Sequence, residues 1–229
     1  LFNGDAGSGP SEIRRYLLEN DLIEAIVQLP TDLFYNTGIS TYIWLISKNK
    51  AKERIGKVQL IDASKCFVKR RKNIGNKRVD LDDNCIDLIL KAYNDFIDRR
   101  YEDNEISVES KVFDNNYFGY TRVVVETPIC DETGNPILKK GKPQADKAKT
   151  DTENIPLQED IDEYIKKNVL PYNPLAYLDR KKDKIGYEIP FTRIFYKFVP
   201  PTPSEEIFKE IKELELQESE LMKELFGDE

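Results

Sequence analysis

The sequence has no histidine, a single methionine and a single tryptophan, and only three cysteines, Cys66, Cys85 and Cys130. The cysteines are odd in number and none stands in a Cys-x-x-Cys pair, so with no histidine to assist them they offer no usual zinc ligand set. They read as reduced structural thiols of a cytoplasmic protein. Also lacking are a signal peptide and any uninterrupted apolar run near the roughly 20 residues a membrane span requires. A soluble chain with no membrane partner is expected. The only methionine is Met222, and the sequence opens at Leu1 inside a glycine-rich stretch, LFNGDAGSGP. The expectation is a piece of a longer polypeptide.

What is present is charge. Of 229 residues, 34% are charged and 39% hydrophobic, enough for one ordinary domain with extensions or two small ones. The net charge of −7 disfavours a simple nucleic-acid binder, because a polyanion is repelled by a negative surface. The distribution qualifies that. Lys65–Arg78, KCFVKRRKNIGNKR, holds seven basic residues and no acid, which leaves the remainder at −14 (−7 less 7). Lys69, Arg70, Arg71, Lys72, Lys77 and Arg78 are candidate contacts to a DNA backbone; the competing reading is a solvated loop.

The chain is organised around Leu22–Lys48. Two apolar runs, Leu22–Leu29 and Ile39–Ile46, are rich in β-branched and aromatic residues and flank a turn, so they read as paired strands. Neither alternates cleanly, which predicts cover on both faces, as in a layered α/β sheet. Between them Phe34-Tyr35-Asn36-Thr37-Gly38 places two aromatics and a conformationally permissive glycine at the mouth of the sheet, where ligands usually bind.

The glycine stretch at the start leads into a helix over Ser11–Asn20. Its spacing matches neither a P-loop nor a dinucleotide fingerprint, so a helix cap competes with a phosphate cradle. Lys57–Ala63 reads as a third strand ending in Asp62, a carboxylate that could be a ligand group. Leu81–Arg100 has helical spacing, with Asp80, Asp82 and Asp83 at its start as capping groups. Ser107–Pro128 reads as β structure carrying Tyr117, Phe118 and Tyr120, as core packing or as base-stacking rings. Asp131–Ile155 reads as a mobile loop or protruding hairpin, Leu157–Leu170 as a helix, and Ile185–Val199 as an aromatic extended segment. From Ser204 a helix runs to about Phe226, with a capping pattern at Ser204-Glu205-Glu206-Ile207. In it Ile207, Ile211, Leu214, Leu221 and Leu225 form a heptad seam broken by Glu218, too short to dimerise strongly alone. It is expected to dock in a helical bundle.

The run GDAGSGPSEIRRYLLENDLIEAIVQLPTDLFYNTGISTYIWLISKNK, followed by GKVQLIDAS, closely resembles the modification (DNA methyltransferase) subunit of type I restriction-modification systems. The later GYEIPFTRIFYKFVPP and the terminal helix resemble that subunit's C-terminal part, and Asp131–Ile155 is the least typical section.

The resemblance implies a fold class of α/β: the C-terminal part of a Rossmann-like methyltransferase sheet, then a mixed α+β region and a C-terminal helix. The implied organisation is 1–64 for the last strands and helix of the methyltransferase domain, 65–130 for the basic loop, helix and β region, 131–156 for a flexible loop, 157–203 for a helix and aromatic segment, and 204–229 for the docking helix. Leu22–Leu29 and Ile39–Ile46 become the last two strands of the sheet. Phe34 matches the aromatic that packs on an adenine flipped from double-stranded DNA in this broad class. The family methylates adenine N6 with S-adenosylmethionine, alongside a specificity subunit and a restriction subunit. Its catalytic Asn/Asp-Pro-Pro-aromatic tetrapeptide is not found here; Tyr172-Asn173-Pro174-Leu175 lacks the second proline. Nor is its glycine donor motif, so no catalytic residue and no cofactor of its own are expected for this fragment. An open sheet edge would favour self-association. Two alternatives stand beside this reading: a non-enzymatic nucleic-acid or protein interaction module, and part of a solitary type II-like adenine methyltransferase.

Overall fold

A computed structural model describes residues 2, 4–139 and 141–227. The chain divides into two compact units, Leu1–Phe191 and Thr192–Glu229. In the first, α1 (Gly9–Glu19) starts at Ser8, whose Oγ accepts the Ser11 N–H, and Pro10 occupies its first turn. The cap reading of the glycine stretch is therefore the one observed. Fully buried Arg14 on α1 donates from Nε to the Tyr187 carbonyl (2.5 Å) and from a terminal nitrogen to the Gly4 carbonyl (3.2 Å), which ties this helix to the end of the unit.

The strands β1 (Ile23–Gln28), β2 (Tyr42–Ile46) and β3 (Lys57–Lys65) follow. β1 pairs antiparallel with β2 and parallel with β3, as the paired-strand reading requires. β1 is largely buried, but β2 lies at the end of the sheet and exposes Ile43 and Ile46. Full cover of both runs, expected from their unbroken hydrophobicity, thus holds for β1 and not for β2. Beyond β3 come β4 (Val68–Ile74) and β5 (Lys77–Asp80), which form an antiparallel hairpin. The basic stretch, read as a loop from sequence, is thus a hairpin, and most of the residues of β4 are exposed.

Helix α2 (Asp83–Asp95) is capped by Asp82, whose carboxylate accepts the Cys85 N–H at 2.9 Å. Asp80, expected to share that duty, instead pairs with Lys77 (2.8 Å) and Arg70. The helix ends well before Arg100. Phe96 turns left-handed (φ 50°) and the chain enters β6 (Arg99–Asp103) and then β7 (Ile106–Asp114), giving a five-stranded sheet in the order β2-β1-β3-β7-β6.

A second sheet is built on β8 (Gly119–Glu126). After the short hairpin of β9 (Leu138–Lys139) and β10 (Lys142–Pro143), β11 (Asp151–Pro156) pairs along β8, with Ile155 fully buried beneath α3 (Ile161–Asn168). The end of the expected mobile excursion is therefore sheet. β12 (Tyr177–Leu178) and β13 (Lys184–Tyr187) also pair with β8. The segment predicted as extended over Ile185–Val199 is β13 followed by a short helix, α4 (Phe191–Phe195). Phe113 stacks on Tyr117 (centroids 4.6 Å) and meets Phe118 edge-on, and Phe118 is buried, so this cluster is packing. The second unit contains α5 (Ser204–Phe226), for which Pro203 takes the cap position without a side-chain cap bond. No helix among the described residues is long and apolar enough to cross a membrane.

Asp21, between α1 and β1, gathers three segments. It accepts from Lys50 Nζ (2.5 Å), the Gly56 N–H (3.0 Å) and Asn115 Nδ2 (2.8 Å). Burial pushes its pKa up, but these donors outweigh that and hold it below the ordinary carboxylate value. A carboxylate depressed by folding stabilises the fold above its unfolded pKa, and the contribution is lost as pH falls through the folded value. Asn accepts the same left-handed backbone (φ 54°). Asp21→Asn is thus expected to lower stability at neutral pH and to flatten the acid limb below about pH 4 in denaturant titrations. An acid limb identical to that of the unaltered chain would contradict this.

Candidate nucleic-acid interface

The loop between β1 and β2 is closed at its base by the Leu29 N–H donating to the Thr41 carbonyl (2.8 Å). Asp32 makes the turn with a left-handed backbone (φ 57°), after which Leu33 plugs into the core. With Leu33 inward, the tip formed by the bridge between Phe34 and Thr37 leaves Phe34 45% and Tyr35 57% exposed. Two adjacent exposed rings on an anchored loop form an unsatisfied apolar surface of the kind that binds ligands. Gly38 is expected from sequence to serve through backbone freedom. Its φ is not left-handed, and a Cβ there would meet the Asp32 carboxylate (2.9 Å from Oδ1), which a turn of that side chain could relieve.

The basic hairpin lies directly against this loop. The Asn76 N–H donates to the Tyr35 carbonyl (3.0 Å), and the Arg78 and Val79 N–H groups donate to the Asp32 carbonyl (2.9 and 3.4 Å). Buried Val79 shares a core cluster with Leu33. Lys77 Nζ sits 5.6 Å from the centre of the Tyr35 ring. Phe34 and the basic stretch, identified separately in the sequence, are therefore parts of one surface.

The six candidate cations divide into two groups. Arg70 and Lys77 are engaged by Asp80, whose carboxyl is held below its ordinary value first by Lys77 and also by Arg70. Lys69, Arg71, Lys72 and Arg78 are exposed and form no ion pair among the described residues. The turn residue Gly75 (φ +58°) and the pairing of Asp80 with the hairpin cations carry no signal in the reading of the sequence given above. Gly-Asn between two strand-like runs is a recognised hairpin signal that could have found the turn. Asp62 Oδ1 accepts the Ser64 N–H (2.9 Å) where the β3–β7 register shifts. Burial pushes the Cys66 thiol up to about 12, which leaves it inert. Asn173 donates to Thr127 Oγ1 (2.7 Å), so the Asn-Pro element is held in packing.

The sequence profile described as N-6 DNA methylase matches residues 1–129, more than half the chain and the whole of the loop and hairpin. The chain belongs to the N-6 DNA methylase family. Among curated relatives, the type I restriction enzyme MjaVIII methylase subunit of Methanocaldococcus jannaschii is 40% identical over 92 residues, 40% of this chain and 16% of that protein. The HindI methylase subunit of Haemophilus influenzae is 42% identical over 66 residues, 28% of this chain and 14% of that protein. The matches thus span about a sixth or less of these relatives. A solved type I restriction-modification methyltransferase subunit from Streptococcus thermophilus aligns with 28% identity and a TM-score of 0.41, covering 52% of this chain and 21% of the other.

In the second unit, Ile207, Ile211, Leu214, Leu221 and Leu225 are all exposed along α5. An isolated helix with that stripe gains most of its stability by packing it.

The backbone bonds between hairpin and loop are directly observable. The amides of Asn76 and Arg78 are expected to exchange with solvent more slowly than that of Gly75 in native-state hydrogen exchange. Equal rates across the turn would show that hairpin and loop are not bonded in solution.

Proposed function

We propose that this chain is the C-terminal portion of the adenine-N6 DNA methyltransferase subunit of a type I restriction-modification system. In this reading it supplies the loop that faces the target base and the helix that docks the specificity subunit, and it is not catalytically competent alone. The supporting observation is the exposed Phe34–Tyr35 tip bonded to a hairpin that carries four unpaired cations. Extruding a base costs a few kcal/mol because its stacking neighbours are lost. Base–aromatic stacking is worth about 1–3 kcal/mol, so one ring presented to the extruded adenine offsets much of that cost. Phe34 is the ring assigned to it. Lys69, Arg71, Lys72 and Arg78 then bind the phosphates of double-stranded DNA near that base.

The methyl donor of the parent subunit is S-adenosylmethionine. The glycine stretch ahead of α1 does not fit as its holder: Ser8 caps the helix, the Gly4 carbonyl receives Arg14, and Asp5 pairs with Arg122 (3.1 Å). Ser8 and the Gly4 carbonyl are thus engaged within the chain. No step through the donor is therefore assigned to these residues.

The apolar stripe of α5 is assigned to helices of the specificity subunit, with the restriction subunit joining the same assembly. Cutting the full-length subunit after Pro203 is expected to abolish co-purification with the specificity subunit; retained binding would place the interface elsewhere. Replacing Lys69, Arg71, Lys72 and Arg78 by glutamine in the full-length subunit is expected to reduce the slope of log affinity for duplex DNA against log salt by about 0.9 per lost phosphate contact. An unchanged slope would remove the hairpin from the DNA interface.

A further inference from the structure

The loop from Leu29 to Thr41 spans two strand ends and carries its two rings at the tip, so left to itself it would sample many conformations. Three backbone hydrogen bonds to carbonyls of Asp32 and Tyr35 restrict it, and all three donors, Asn76, Arg78 and Val79, belong to the hairpin. The turn is matched to the loop at close range. Gly75 has φ +58°, and a Cβ built on it would stand 2.8 Å from the Tyr35 carbonyl oxygen. Only a glycine permits both the conformation and the approach. Beneath the turn, Val79 and Leu33 pack in one cluster, and above it Lys77 faces the Tyr35 ring.

We infer that the β4–β5 hairpin is the positioning element of the β1–β2 loop, with Gly75 and Lys77 setting where Phe34 and Tyr35 stand. This rests on the reading of that loop as base-facing. A rigid connection between phosphate-binding cations and the stacking rings makes backbone capture and base capture one event. The duplex docks on the hairpin, and the rings already stand at a fixed offset from the bound phosphates. Such preorganisation removes the cost of ordering the loop after DNA binds. Gly75 touches neither phosphate nor base; it acts through the Tyr35 carbonyl.

The test uses the full-length subunit assembled with its specificity subunit, and a duplex containing the system's own methylation site with 2-aminopurine in place of the target adenine. Gly75→Ala is expected to reduce the fluorescence gain that reports base extrusion, and kcat for methyl transfer on normal duplex, by about 10- to 100-fold. Duplex affinity and KM for DNA should stay within about threefold, because the exposed cations remain. Lys77→Met, which adds no atom near the loop backbone, is the second variant and carries the test if Gly75→Ala does not fold; a smaller loss with the same split is expected. Phe34→Ala serves as the reference. If Phe34→Ala loses the fluorescence gain and the two hairpin variants keep it, the hairpin is not a positioning element although the loop is base-facing. If Phe34→Ala keeps it, the base-facing reading falls and this inference with it. Parallel losses of affinity and fluorescence in the hairpin variants would also overturn the inference, since the hairpin would then act on binding alone.

Discussion

Strand β3 is bonded along both edges, to β1 and to β7, and Val58, Gln59, Leu60, Ile61 and Ala63 on it are buried. An amide in such a place must be satisfied, because a buried unpaired polar group costs about 1–3 kcal/mol. Gln59 Nε2 donates to the Ala92 carbonyl and to Ser110 Oγ (both 2.8 Å), and its Oε1 accepts from Arg54 (3.1 Å). That arrangement settles where α2 lies. Arg54 reaches on to the Tyr93 carbonyl, pairs with Glu24 (3.5 Å), and lies over the rings of Tyr93 (4.2 Å) and Phe96 (4.3 Å). The last turn of the helix is thereby closed by a cation, which suits its negative end.

The same constraint reaches the candidate interface. With β3 occupied on one edge by β7, β1 can join only on the other, and β2 then falls at the margin of the sheet. The loop joining β1 to β2 leaves the sheet at the end where β3 also terminates, at Lys65. The hairpin that follows β3 is accordingly delivered to the same place. Parallel pairing of β1 with β3 is what makes the two C-terminal ends coincide; antiparallel pairing would put the basic hairpin at the opposite end from Phe34.

Several elements were legible in the sequence because their cause is local. The Leu22–Leu29 and Ile39–Ile46 runs are dense in β-branched and aromatic residues, and the strands they predicted pair with each other. The terminal helix follows from its heptad spacing alone. The misses have non-local causes. Helical spacing continues to Phe96 and beyond, but α2 stops there because Arg54, from a distant segment, closes its end and β7 offers Arg99–Asp103 a partner. Asp151–Pro156 has the composition of a solvated loop, yet the open edge of β8 recruits it. At the interface, Phe34 and the cations were visible individually. Their contact was not, since it depends on main-chain carbonyls of Asp32 and Tyr35 that carry no residue-type signature.

The hairpin also reconciles a net charge of −7 with the DNA partner proposed above. At physiological ionic strength charges separated by more than about 8 Å are largely screened, so a phosphate at the surface responds to its immediate surroundings and not to the total. Within the hairpin Asp80 is the one acid, and it engages Arg70 and Lys77; Arg71, Lys72 and Arg78 form no ion pair among the described residues, while Lys69 shares a cleft with Asp82, Asp103 and Glu105. In the proposed complex the acids elsewhere add to the specificity of docking. They disfavour approach of a polyanion to the acidic faces, which favours the proposed docking of a duplex where Phe34, Tyr35 and the exposed hairpin cations stand together.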